Sequence, residues 1–177
     1  MGDAGVCDVC FSIRGLDWMR AAVRYEGTGG DAAKSLKYGR RCELASPMRI
    51  AMRPIFDLAK FDAIVPVPIH WSRRSFRGFN QAELLVPEDL TRAAHPNFLR
   101  RVKATKPHWR LTAGKRRQNV RNAFAAKNCA GLRVMLVDDI LTTGATLEAC
   151  AEELKRAGAA WVGAVVYAVQ RSGSSSP

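Results

Sequence analysis

Long hydrophobic runs are missing from this chain. The longest, residues 159–169, falls well short of the ~20 apolar residues a helix needs to cross a bilayer, so no membrane insertion is expected. The amino-terminal residues lack the basic-then-apolar order of a secretory signal and carry Asp3, Cys7, Asp8 and Cys10 instead. A cytoplasmic location is the expectation. Cysteine is sparse and odd in number, five in 177 residues, which argues against a disulfide framework. Cys7 and Cys10 have the spacing of half a zinc site, but Cys42, Cys129 and Cys150 stand alone and read as buried free thiols. A complete zinc centre within the chain is therefore not expected. Low-complexity sequence is confined to the Ser-rich end.

Acidic residues are also in short supply, 16 against 28 Lys and Arg, for a net charge of +12. The imbalance is local. Residues 70–121 hold 13 Lys and Arg and three acids, which accounts for +10 of that charge. A field of this density attracts polyanions such as pyrophosphate, nucleic acid or an acidic partner.

The most informative segment is Val134-Met135-Leu136-Val137-Asp138-Asp139-Ile140-Leu141-Thr142-Thr143-Gly144-Ala145-Thr146. Four apolar residues make a buried strand ending in two carboxylates, and a turn of small and hydroxylic residues leads into a helix. Each part suits a ribose 5-phosphate. Carboxylates at neutral pH only accept hydrogen bonds, so Asp138 and Asp139 match vicinal ribose hydroxyls. Thr142, Thr143, Gly144, Ala145 and Thr146 offer hydroxyls and backbone N–H groups at a helix N-terminus, where a phosphate is favoured.

A second block runs from Asp62 to Ala82. Residues 63–67 form an apolar strand, and Arg73, Arg74 and Arg77 are expected in the loop that leaves it, with Gly78 and with Asn80 capping the next helix. Guanidinium groups there suit a pyrophosphate. Residues 103–123 are polar and basic without a clear period, as in a functional loop or lid.

Elsewhere, residues 17–25 read as a strand, followed by a turn and a helix capped by Asp31 through Leu36 and Tyr38. Pro47 and Pro54 interrupt a helical stretch that ends near Lys60. Residues 99–102 read as a short strand, residues 133–137 as the signature strand, 146–157 as its helix and 161–169 as a last strand. Alternating strands and helices predict a parallel sheet with the ligand at the strands' carboxyl ends.

The signature resembles the 5-phosphoribosyl 1-diphosphate (PRPP) motif of type I phosphoribosyltransferases. The chain as a whole resembles the ComF family, phosphoribosyltransferase-like proteins associated with DNA uptake. The resemblance rests on the Cys7–Cys10 pair, Tyr25-Glu26-Gly27, Leu36-Lys37-Tyr38, Val65-Pro66-Val67-Pro68 with His70, and Arg77-Gly78-Phe79-Asn80-Gln81-Ala82. It continues through Thr105-Lys106, Arg116, Asn119-Val120 and Ala123-Phe124.

The resemblance implies an α/β type I phosphoribosyltransferase-like fold with a mostly parallel central sheet flanked by helices and a small N-terminal hood or arm. The expected division is an arm over residues 1–15, the domain over 16–171 and a disordered tail over 172–177. Asp138 and Asp139 would hold the ribose hydroxyls, and Thr142 to Thr146 the 5-phosphate. His70, Arg73, Arg74, Arg77 and Gly78 would face the pyrophosphate, while Lys106 and Arg116 would act from a closing loop. Mg2+ would accompany PRPP, held mainly by the diphosphate and water. His70 and His108 are candidate general bases.

Two functions follow from these features. One is transfer of phosphoribosyl from PRPP to a nitrogenous base. The other is a non-catalytic nucleotide sensor or single-stranded-DNA-binding accessory of the DNA-uptake machinery, with Trp71, Phe76, Phe79 or Trp109 available for stacking. The acceptor base and the oligomeric state are not written in the sequence.

Overall fold

The computed structural model describes residues 13–39, 41–57, 60–104 and 118–170. The Cys7–Cys10 pair, His108, Trp109, Lys106, Arg116 and the Ser-rich tail lie outside them.

Four strands form one parallel sheet: β1 (Trp18–Arg24), β2 (Ala63–Pro66), β5 (Arg133–Leu141) and β6 (Trp161–Val169), in the order β1-β6-β5-β2. Its central strands are apolar on both sides because both faces are covered. Successive side chains point to opposite faces, and the two halves of the core follow that alternation. Val134 and Leu136 of β5, with Val162, Ala164 and Val166 of β6, pack against helix α5 (Ala145–Arg156) through Leu147, Cys150, Ala151 and Leu154. Met135, Val137, Val165 and Tyr167 face helices α1 (Gly27–Tyr38) and α2 (Ala45–Met52). Ile13 is buried on the α5 side.

The parallel sheet and most elements follow the sequence expectation, with informative differences. Helix α1 begins at Gly27, so Asp31 lies inside it rather than capping it. The stretch expected to run to Lys60 divides: α2 ends at Met52, and a 3-10 turn (Arg53–Ile55) carries Pro54 near its start, where a missing N–H costs no helical bond. The signature strand continues four residues past Val137 to Leu141, because β6 supplies pairing as far as Leu141↔Val169. A two-stranded antiparallel ladder, β3 (Leu99–Arg101) with β4 (Phe124–Ala126), brackets the basic segment. Cys129 and Cys150 are buried as expected, but Cys42 is exposed, since its 3-10 turn buries no residue.

The largest correction concerns the arginine segment. It is not a loop but helix α3 (Trp71–Arg77), followed by the short helix α4 (Gln81–Leu84). Seven residues with no buried member carry little apolar signal, so periodicity fails to reveal α3. Its ends define it: His70 accepts from Ser72 N at the start, and Gly78 adopts φ +86° at the finish, a left-handed conformation natural to glycine.

Candidate active site

The signature forms one continuous path. Strand β5 carries Asp138 and Asp139 near its carboxyl end, residues 142–144 turn, and α5 starts at Ala145. Gly144 sits at the N-cap position with φ +74° and provides no side-chain cap, so the N–H groups of the first turn of α5 open toward the turn. A Cβ at Gly144 would stand 2.7 Å from Cδ1 of Ile13. Both the backbone angle and the close packing therefore require glycine here.

Adjacent residues of a strand point to opposite faces, so the two carboxylates have different neighbours. Asp139 shares the face of α1 and α4. Lys37 Nζ lies 3.1 Å from its Oδ2 and Gln81 Nε2 donates to the same oxygen over 3.3 Å. Asp138 shares the face of α5 and β3, where Cys150 and Arg101 are its electrostatic neighbours. The backbone N–H of Asp139 donates to Asp138 Oδ1 over 2.8 Å, and that of Ile140 to Asp139 Oδ1 over 2.9 Å.

The protonation equilibria of the two carboxyls diverge accordingly. Burial pushes Asp138 up to about 8, helped by the negative charge of Asp139 and opposed by Lys37. Burial would also raise Asp139, but Lys37 and the Gln81 amide outweigh it and hold this carboxyl below its ordinary value. Lys37 in turn resists the lowering effect of burial because Asp139 and Asp138 face it, and it stays above the usual lysine value. Gln81 gives its amide N–H to Asp139, which leaves its buried Oε1 without a hydrogen-bond partner among the described residues.

Arginines gather beside Arg101, the one that shares the field of Asp138. Arg73 and Arg77 form the half-buried side of α3. Burial lowers the Arg73 pKa, with repulsion from Arg77 adding. Arg101 on β3 is lowered by burial and then by Arg73, which places these guanidinium groups within each other's field. The Arg77 guanidinium lies 5.7 Å from the Tyr38 ring centroid. Like charges gathered this way are relieved by an anion.

Of the residues expected from sequence, Asp138, Asp139 and the turn through Thr142, Thr143, Gly144, Ala145 and Thr146 lie on one path, and Arg73 and Arg77 lie together on α3. It uses others differently. Arg74 turns to Glu83 over 2.7 Å, and His70 spends its Nδ1 on Ser72, as a helix cap. Gly78 ends α3 in open space. Phe79 packs against the core and so is not one of the rings available for stacking. Three residues were not recognised as site residues in the sequence: Lys37, Gln81 and Arg101. The first two lie within blocks that carry the family resemblance; Arg101 had only its charge to mark it.

Comparison with known proteins agrees with this geometry. The family described as "Phosphoribosyl transferase domain" matches residues 102–177. DNA utilization protein YhgH of Salmonella typhi is 38% identical over 139 residues, which span 72% of this chain and 61% of that protein. Competence protein F of Haemophilus influenzae is 42% identical over 105 residues, 55% of this chain and 45% of its own. Competence protein ComFC of Bacillus subtilis is 35% identical over 103 residues, 57% and 41% of the two chains. This chain thus spans less than two thirds of each of these relatives. The matched domain, these relatives and the carboxylate-to-helix path of β5 and α5 together show that the chain belongs to the ComF family of type I phosphoribosyltransferase-like proteins.

Proposed function

We propose that this protein binds PRPP and transfers its phosphoribosyl group to a nitrogenous base, in the service of DNA uptake or DNA utilisation. One arrangement carries the reading: two carboxylates and a helix N-terminus on one path, with Arg101 in the field of Asp138 and Arg73 in turn in the field of Arg101. The link to DNA uptake comes from the names of the relatives.

In this reading the 5-phosphate takes the N–H groups and hydroxyls of the Thr142–Thr146 turn. Asp139 accepts from the ribose hydroxyls as a carboxylate, and Asp138, which holds its proton up to about 8 in the free protein, joins it once the bound ligand draws that proton off. Arg73, Arg77 and Arg101 receive the pyrophosphate as charge-assisted hydrogen-bond donors. The C1–O bond to pyrophosphate breaks with its electron pair leaving on that oxygen, while the base nitrogen lone pair forms the new N–C1 bond and the nitrogen's proton passes to the departing pyrophosphate or to water. Such a centre develops positive charge on the ring, and a fixed carboxylate nearby stabilises it without any covalent intermediate. Positioning supplies much of the rest. Among the described residues no group of three or more His, Cys, Asp or Glu gathers. Asp138 would be the protein group beside a magnesium ion held mainly by the diphosphate and water, and the ion would supply charge neutralisation on the leaving group. Lys106 and Arg116, on the segment that β3 and β4 bracket, are assigned to closing over the site.

The test is calorimetric titration with PRPP and Mg2+ of the wild type and of an Asp138→Ala/Asp139→Ala variant, then a screen of bases for pyrophosphate release. Saturable binding lost in the variant supports the pocket, and release with any base supports transfer. A folded wild type that binds no PRPP overturns both. Binding without release from any base would leave a nucleotide sensor in place of an enzyme.

A further inference from the structure

Away from the carboxylates, a cleft of about 430 Å³ opens where the carboxyl ends of β1 and β6 meet α1 and α2. Clefts of this size take small organic ligands. Val23, Ala32, Leu44, Pro47 and Met48 give it apolar walls, and Tyr167 of β6 lines it from the sheet. Tyr167 is 7% exposed, and its hydroxyl makes no hydrogen bond among the described residues. An enclosed phenol ordinarily finds a partner; this one has only the cleft to find it in. Burial raises its pKa, so the hydroxyl keeps its proton.

The rim carries charge of both signs. Helix α1 starts here with Glu26 at its N-cap, no side-chain cap and no acidic residue in its first turn. The N–H groups of Thr28 and Gly29, which line the cleft, therefore lack a helical acceptor and favour an anion. Arg24 and Glu26 flank that end, exposed and opposite in charge, yet neither forms an ion pair among the described residues.

We propose that this cleft binds a free aromatic α-amino acid whose ring carries an N–H or O–H, as tryptophan and tyrosine do. The zwitterion matches the rim: its carboxylate meets Arg24 and the first N–H groups of α1, and its ammonium meets Glu26. The ring lies on Leu44, Pro47 and Met48, and its polar edge pairs with the Tyr167 hydroxyl. A nucleotide brings phosphate for Arg24 but no cation for Glu26. An apolar acid brings neither that cation nor a partner for Tyr167. The site is distinct from the Lys37–Asp139 end of α1, since Thr28 and Lys37 are separated by about 14 Å along the helix axis. It does not rest on the PRPP reading.

The experiment is isothermal titration of the full chain with L-tryptophan, L-phenylalanine, tryptamine, indole-3-propionate and adenosine monophosphate. The variants are Tyr167→Phe, Glu26→Gln and Arg24→Gln, each checked for native circular dichroism and melting temperature. Saturable binding of tryptophan is expected, with tryptamine and indole-3-propionate at least about tenfold weaker, because each lacks one charge of the zwitterion. Phenylalanine binds the wild type about fivefold more weakly than tryptophan, and Tyr167→Phe removes most of that preference without lowering the melting temperature. Glu26→Gln narrows the gap between tryptophan and indole-3-propionate, and Arg24→Gln narrows the gap with tryptamine. A folded wild type that binds no tryptophan overturns the proposal, as does equal or tighter binding of indole-3-propionate or adenosine monophosphate. So does a Tyr167→Phe variant that keeps the full preference for tryptophan. Displacement of tryptophan by pyrophosphate would place it among the arginines and overturn it too.

Discussion

Lys37 and Asp139 are 102 residues apart in sequence and form an ion pair with Nζ 3.1 Å from Oδ2. The pair ties the last turn of α1 to the carboxyl end of β5. The next residue, Tyr38, lies under the Arg77 guanidinium, so one helix end touches both the carboxylate and the arginine side of the site. Removing one partner leaves the other charge poorly compensated in a mostly buried place.

Lys37→Met is therefore expected to destabilise the protein by about 2 kcal/mol at neutral pH, after allowance for the partial exposure of the lysine. The pH dependence has a defined sign. Asp139 sits below its ordinary value, so its contribution is present above the unfolded value of about 4 and is lost as pH falls further. Lys37 sits above its ordinary value, so its contribution is present below about 10.4 and is lost as pH rises further. Urea unfolding of both proteins from pH 3 to 11, on the order of one pH unit per step, checks this. A difference between them that persists undiminished at the acid end would refute the assignment.

Asp138 predicts the opposite effect. Its carboxyl titrates near 8 in the folded protein and near 3.9 when unfolded. The folded state thus holds its proton more tightly, and stability falls as pH rises between those values. Asp138→Asn removes that decline. The variant should be more stable than wild type at pH 8 and above, by on the order of 1 kcal/mol or more, while binding Mg-PRPP at least about tenfold more weakly. Denaturation midpoints and calorimetry read the two effects separately.

The arginines divide by direction. Arg101→Ala should weaken pyrophosphate binding by about tenfold or more, the worth of one charged hydrogen-bond set. Arg74→Ala, whose guanidinium faces Glu83, should stay within about threefold of wild type, as expected of an exposed ion pair. Isothermal titration with pyrophosphate decides it, and equal losses would show that the inner wall has been misassigned.

Gly144→Ala should be costly twice over. The residue has φ +74°, and a methyl group would press on Ile13 at 2.7 Å. A loss of about 1–3 kcal/mol in stability is expected, with PRPP affinity falling as the turn shifts. Thermal unfolding with and without ligand measures both. An unchanged melting temperature would mean that Ile13 moves aside freely.

Local order is what this sequence determined by itself. The β5 strand, the Gly144 turn and α5 are contiguous, so residue pattern and turn chemistry were enough to find them. The same holds for β6, whose apolar run ends where the tail begins, and for Asn80, whose side chain accepts from Ala82 N two residues on. Tertiary structure decided which charges meet. Lys37 reaches Asp139 only because α1 crosses the sheet face that β5 presents to it, and Arg101 joins Arg73 only because β3 pairs with β4 on the other face. Helix α3 escaped recognition because its inward side is arginine, so hydrophobic periodicity had nothing to report. Strand alternation then gave two neighbouring aspartates different surroundings, with the Lys37 ion pair on Asp139 and a proton-retaining place for Asp138 beside that charge. Contacts of this kind depend on long-range packing, and a linear pattern holds no record of them until the chain has folded.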